Sequence, residues 1–163
     1  MLEVPDTELR ERLAAALGVA RWVDEVAARA PYRDVEELVD IGRAAATPLS
    51  DAELDEAVAH HPRIGERPQG EGSAQRLSSG EQAGLGAAEE GLDAAIARGN
   101  RVYEDRFGRV FLIRVAGRTR EEVADELQRR LTNSPDQEAE EAKEQLRQIM
   151  ELRLRNLFPE GTA

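Results

Sequence analysis

The stretch SPDQEAEEAKEQLRQIMELRLRNL, residues 134–157, reads as one long α-helix and sets the fold class. Ser134 can cap it with a side-chain oxygen. Pro135 suits the first helical position, where its missing N–H costs nothing. Ala139, Ala142, Leu146, Ile149, Met150 and Leu157 share one arc when the chain turns ~100° per residue. Arg153 interrupts that arc. It stands seven residues after Leu146, four after Ile149 and four before Leu157, so it points into the apolar stripe. Arg155 projects to the opposite side. A buried guanidinium left unpaired costs several kcal/mol, so Arg153 must meet an anion from the protein or from a ligand.

Outward from this helix the same period recurs. Thr119 with Glu122 forms a capping box ahead of a helix through Val123, Leu127 and Leu131. Towards the N-terminus, Asp6 can cap a helix carrying Leu9, Leu13 and Leu17, stopped by Gly18. Val19, Trp22, Val23 and Val26 make a second stripe that ends near Pro31. Asp34 can cap a third helix with Val35, Leu38, Val39 and Ile41. Ser50 and Glu53 form a capping box for a fourth, through Leu54 and Val58 to His61, where Pro62 stops it. Residues 62–77, PRIGERPQGEGSAQRL, form a long loop of a kind that tends to be functional. Ser78 with Glu81 opens a fifth helix through Leu85, Ala88, Leu92 and Ile96, ending at Gly99. Val102 to Phe107 fits a short helix of its own. Val110 to Val115 alone has strand-like composition and should be extended. The expected fold is therefore all-α: a single-domain bundle, residues 1–163, of about eight helices with a short extended segment near 110–115.

Two further ionisable residues face inward by the same test. His61 lies seven after Leu54, four after Ala57 and three after Val58. Glu81 precedes Leu85, Ala88, Leu92 and Ile96 by helical spacings. Singly, each has a structural explanation: a hydrogen-bonded core histidine, a capping glutamate, an arginine paired with a core carboxylate. Together, an imidazole, a carboxylate and a guanidinium aimed at one interior can do acid–base chemistry on an anionic substrate.

Composition narrows the alternatives. The 163 residues include no Cys, 22 basic and 33 acidic side chains, for a net charge of −11. Absence of Cys excludes a disulfide scaffold, a zinc–thiolate site and a thiol nucleophile. The negative total argues against nucleic acid as a partner. Residues 98–120 run the other way, with seven Arg against Glu104 and Asp105. That segment reads either as an anion-attracting patch or as arginines paired with acidic neighbours. No apolar run reaches a membrane span, and no signal peptide or peroxisomal tail is evident, so a cytoplasmic location with no membrane partner is expected. No metal site is expected, since His61 and Glu66 lack a third ligand at a sensible spacing. No phosphate-binding or dinucleotide fingerprint is present.

Several short motifs, in order, resemble one family. They are His61-Pro62-Arg63-Ile64-Gly65, Ser78 to Gly84, Tyr103 to Gly108 followed by Phe111-Leu112-Ile113, Arg130-Leu131-Thr132-Asn133, and Ile149 through Arg153 to Leu157. The set is similar to OHCU decarboxylases, which act on 2-oxo-4-hydroxy-4-carboxy-5-ureidoimidazoline in urate degradation. The resemblance implies an all-helical enzyme without cofactor, often a homodimer, that converts this anionic ureidoimidazoline to (S)-allantoin and CO2. It implies His61 as catalytic residue, with Pro62, Ser78, Glu81, Gln82, Phe111, Leu112, Ile113 and Arg153 binding substrate. His61, Glu81 and Arg153 are the expected catalytic set. Arg63-Ile64 and Arg114 depart from the common pattern. The rival expectation is a non-enzymatic helical interaction module whose inward polar residues are structural.

Overall fold

The chain is described here by a computed structural model covering residues 1–59, 61 and 90–159. Seven helices form within these residues: α1 Asp6–Ala16, α2 Ala20–Ala27, α3 Val35–Ala45, α4 Asp51–Val58, α5 Glu90–Phe107, α6 Arg120–Arg130 and α7 Pro135–Leu157. Their ends follow the local chemistry. Asp34 accepts from the Glu37 amide at the start of α3. Ser50 with Glu53, Thr119 with Glu122, and Ser134 with Gln137 each close a reciprocal capping box. At α1 the cap position falls on Pro5 instead, and Asp6 is the first helical residue, bonded to Arg10 at 3.1 Å. Gly108 ends α5 with φ +73° and its amide on the Glu104 carbonyl, a left-handed C-cap that glycine adopts without strain.

The helix end expected at Gly99 is overturned. Gly99 does not end a helix; α5 runs through it to Phe107 and absorbs the separate short helix expected at 102–107. The glycine is there for packing. A Cβ at position 99 would sit 2.4 Å from Leu127 Cδ2 and 3.0 Å from Leu127 Cγ, so α5 can approach α6 this closely only without a side chain. The expected helix start at Ser78 lies outside the described residues.

Two apolar clusters organise the helices. In the larger, α7 lies against α1, α3 and α4, and Trp22, Leu38, Leu54, Leu146, Met150 and Leu154 are all sealed from solvent. Trp22 donates its indole N–H to the Gly42 carbonyl at 2.8 Å, so the largest core side chain leaves no polar atom unmet. The smaller cluster joins α5 and α6 through Ile96, Tyr103, Val123 and Leu127. Residues 110–115 pass between the two. Phe111, Ile113 and Val115 enter the smaller cluster, while Val110 and Leu112 pack on the larger. Alternation with a period of two means the segment is extended, as expected from its composition.

α1 and α7 run antiparallel and cap each other. Arg12 on α1 donates to the Leu157 carbonyl at the end of α7, 3.0 Å away. Arg153 on α7 donates to the Ala15 carbonyl at the end of α1, 3.1 Å away. Each guanidinium meets the negative end of a helix dipole and satisfies a carbonyl that lacks an intrahelical partner.

Candidate active site

Arg153 lies where its spacing put it. It is 3% exposed, on the inner face of α7, and is held by the Ala15 carbonyl. Arg155, two residues on, is exposed and pairs with Glu36 at 3.0 Å. His61 is three residues beyond α4 rather than on it. Its amide donates to the Val58 carbonyl at 2.9 Å, and the residue is half-buried.

Two contacts tie α4 into the bundle. Lys143 on α7 meets Asp51, the first residue of α4, at 2.9 Å. Further along α4, Glu56 accepts from the Ala20 amide at 2.9 Å. Ala15 lies in the last turn of α1 and Ala20 opens α2, so the chain between them spans at most about 18 Å even when fully extended. The second half of α4 and Arg153 therefore abut the same short connection. Pro62, Ser78, Glu81 and Gln82 lie outside the described residues.

Phe111, Leu112 and Ile113 are buried residues, between 1% and 4% exposed with their backbone included. The Leu112 carbonyl accepts from Arg130 Nη1 at 2.6 Å, and the Arg114 amide donates to Gln145 Oε1 at 2.9 Å. In an extended chain these two groups point to one edge, and the amide and carbonyl of Ile113 point to the other. Among the described residues nothing takes up the Ile113 pair. Arg109, just before the segment, reaches Asp55 on α4 at 3.3 Å and ties it to the helix that leads to His61.

Beneath the segment lies a buried polar cluster that sequence reasoning passed over. Arg130 and Glu138 are 1% and 0% exposed. Arg130 Nε is 3.0 Å from each carboxylate oxygen, and Nη2 also donates to Glu138. The Tyr103 hydroxyl and the Asn133 amide, at 3.1 Å for the latter, donate to the same carboxylate. The Arg130 guanidinium stacks 4.6 Å from the Phe111 ring centre. Burial, reinforced by Glu138, pushes the Tyr103 phenol well above its ordinary value, so it stays a donor. The facing test applied to Arg153 would have found both ions. Arg130 stands seven after Val123 and three after Leu127, and Glu138 stands four before Ala142 and eight before Leu146.

The architecture matches known all-helical enzymes. A solved structure of OHCU decarboxylase in the presence of (S)-allantoin superposes with a TM-score of 0.75, covering 91% of this chain and 97% of that one at 24% identity. A structure of (S)-allantoin synthase gives 0.67, covering 95% of this chain and 51% of that one at 19% identity. At such identities the likeness speaks for the fold. The sequence itself goes further: residues 3–155 match the OHCU decarboxylase family, and the chain belongs to it. Over 100 residues it is 36% identical to the 2-oxo-4-hydroxy-4-carboxy-5-ureidoimidazoline decarboxylase of Amia calva, 60% of this chain and 57% of that protein. Over 160 residues it is 26% identical to the uric acid degradation bifunctional protein of Bacillus sp. (strain TB-90), 98% of this chain and 32% of that one. The chain thus spans well under two thirds of either curated relative.

Proposed function

We propose that this protein decarboxylates 2-oxo-4-hydroxy-4-carboxy-5-ureidoimidazoline to (S)-allantoin, with His61, Glu81 and Arg153 carrying the chemistry. The observation that carries the reading is Arg153. In a chain of this family, an always-charged guanidinium is buried on the inner face of α7 and braced at the end of α1.

The substrate has a carboxylate and a hydroxyl on one ring carbon, beside a C=N bond. When the bond to the carboxylate breaks, CO2 leaves. The electron pair moves into the imine, whose nitrogen takes up a proton. The resulting enol loses its hydroxyl proton, and the neighbouring carbon gains one on a single face, giving the (S) product. The substrate's own imine is the electron sink, so the residues need only bind, orient and move protons. His61 handles the proton at the hydroxyl. Glu81 orients that group. Ser78, Gln82 and Pro62 hold the ureido and ring atoms. Arg153 stabilises negative charge developing on the ring or ureido oxygen. The amide and carbonyl of Ile113, which no described residue takes up, suit a neighbouring N–H and C=O on the substrate, while the buried side chains of Phe111, Leu112 and Ile113 keep water from the leaving carboxylate.

No described helix is long and apolar enough to cross a membrane, which accords with a cytoplasmic enzyme, and homodimerisation belongs to the same reading. The test is to generate the substrate in situ from urate and follow the circular dichroism of the product. Enzyme-dependent formation of (S)-allantoin is expected. A racemic product at the spontaneous rate would leave a helical module with structural polar residues.

A further inference from the structure

The Arg130–Glu138 pair is more than a filled core position. A buried ion pair is weak evidence of stability, because desolvation offsets most of its Coulomb energy. Here the pair spends one arm outside itself. Arg130 Nη1 donates to the Leu112 carbonyl, and the same guanidinium stacks on Phe111. Glu138 fixes the rest of the fork from α7, and Tyr103 and Asn133 fix Glu138 from α5 and the α6–α7 turn. Four parts of the fold thus converge on one backbone oxygen. Gln145 holds the Arg114 amide on the same edge.

We infer that Arg130 is a positioning residue. Locked by Glu138 and Tyr103, it clamps the Leu112 carbonyl and so aims the Ile113 amide and carbonyl, on the opposite edge, as a rigid donor–acceptor pair for the substrate. This rests on the reading that residues 111–113 bind substrate through their backbone. The pair leaves the reacting atoms untouched and acts only by geometry. Geometry is enough to matter: a displacement of about 1 Å can lower turnover by about a hundredfold.

The decisive variant replaces both ions by apolar side chains of similar bulk, Arg130→Met with Glu138→Leu. Such swaps often preserve folding because no charge is left buried alone. The full chain is used, and turnover on substrate generated from urate is compared with exchange of the Arg114 amide, normalised to global stability. The expected result is a folded protein whose kcat falls at least about tenfold and whose Arg114 amide exchanges at least about tenfold faster. A folded double variant with kcat, KM and Arg114 exchange all within about twofold of the parent would overturn the clamp. Should that variant fail to fold, Tyr103→Phe decides. It deletes one hydroxyl from the clamp and keeps the ring, and at least about a threefold fall in kcat together with faster Arg114 exchange is expected. Parent-like values for both would sink the proposal. If the parent itself makes no (S)-allantoin, the proposed reaction has failed. The Arg114 exchange then judges the clamp alone: faster in the variant upholds it, unchanged overturns it.

Discussion

Arg153 carries two duties with one guanidinium. It satisfies the last turn of α1, and it presents charge to the interior. Replacing it with Ala removes both. Arg153→Ala is expected to lower stability by about 1.5–3 kcal/mol, the scale of a hydrogen bond to a charged group, and to impair kcat/KM by at least about tenfold. Unchanged steady-state parameters in a folded Arg153→Ala protein would remove the residue from the site. His61 differs in that it follows its helix and is only half-buried. His61→Asn should keep the fold, seen in an unaltered far-ultraviolet spectrum, and lower turnover by about 10²–10⁴, the range of general acid–base help. Near-normal product formation by His61→Asn would reassign the proton transfer. Arg153 was visible in the sequence because it breaks an apolar period that the helix keeps, whereas the period that singled out His61 ends with α4 at Val58. Arg130 and Glu138 break such a period as plainly. They draw less notice because α6 and α7 are so rich in charge that two more ions look like surface.

At the scale of elements, helix starts were far more legible than helix ends. A start is chemistry between residues three apart, and Ser50, Thr119 and Ser134 each have their partner. An end depends on what lies alongside. Gly99 carries the same letter as Gly108, but only Gly108 stops α5; Gly99 is a notch for Leu127. A paired substitution separates these roles. Gly99→Ala gains about 1 kcal/mol of helix propensity and incurs about 1–3 kcal/mol of overpacking, so a net loss of stability is expected. Gly91→Ala, where a Cβ would meet nothing within 4 Å among the described residues, keeps the propensity gain of up to about 1 kcal/mol and should stabilise. Chemical denaturation of the two variants against the parent checks the signs, and a stabilised Gly99→Ala would show that the notch does not constrain α5.

Over the whole molecule the net charge of −11 is spent on solvated helix faces and on cross-links between elements. The basic segment 98–120 is largely consumed internally. Arg106 donates to the Asn133 carbonyl, Arg109 reaches Asp55, Arg120 reaches Asp93, and Arg114 donates to Gln148 and Ala116. Two of the seven arginines, Arg109 and Arg120, pair with acidic side chains, and elsewhere ion pairs join Arg21 to Glu53, Arg129 to Glu141 and Arg155 to Glu36. These pairs set the acid response. The hydrogen bond from Arg21 lowers Glu53 to about 2 from an ordinary value near 4.5. Arg129 lowers Glu126 and Glu141, Lys143 lowers Asp51, and Arg155 lowers Glu36. A carboxylate held lower in the folded state adds stability above its unfolded pKa and loses it as pH falls towards the folded one. Stability should therefore decline between about pH 5 and about pH 2, and Glu53→Gln should flatten that decline. Denaturation midpoints across this range test it, and an unaltered slope in Glu53→Gln would show that the Arg21 pair contributes nothing.

By itself the sequence determined the helical class, most helix starts, the extended run at 110–115 and the inward aim of Arg153. Each is a local matter, settled by backbone periodicity and by hydrogen bonds between near neighbours. Only the tertiary structure decided that α5 continues past Gly99, that α1 and α7 cap each other, and that Arg130 grips the Leu112 carbonyl. Those outcomes join residues 18 to 138 positions apart in the case of the two arginines, Arg130 to Leu112 and Arg153 to Ala15. Side-chain identity says that a guanidinium needs acceptors; packing alone says which carbonyl is within reach.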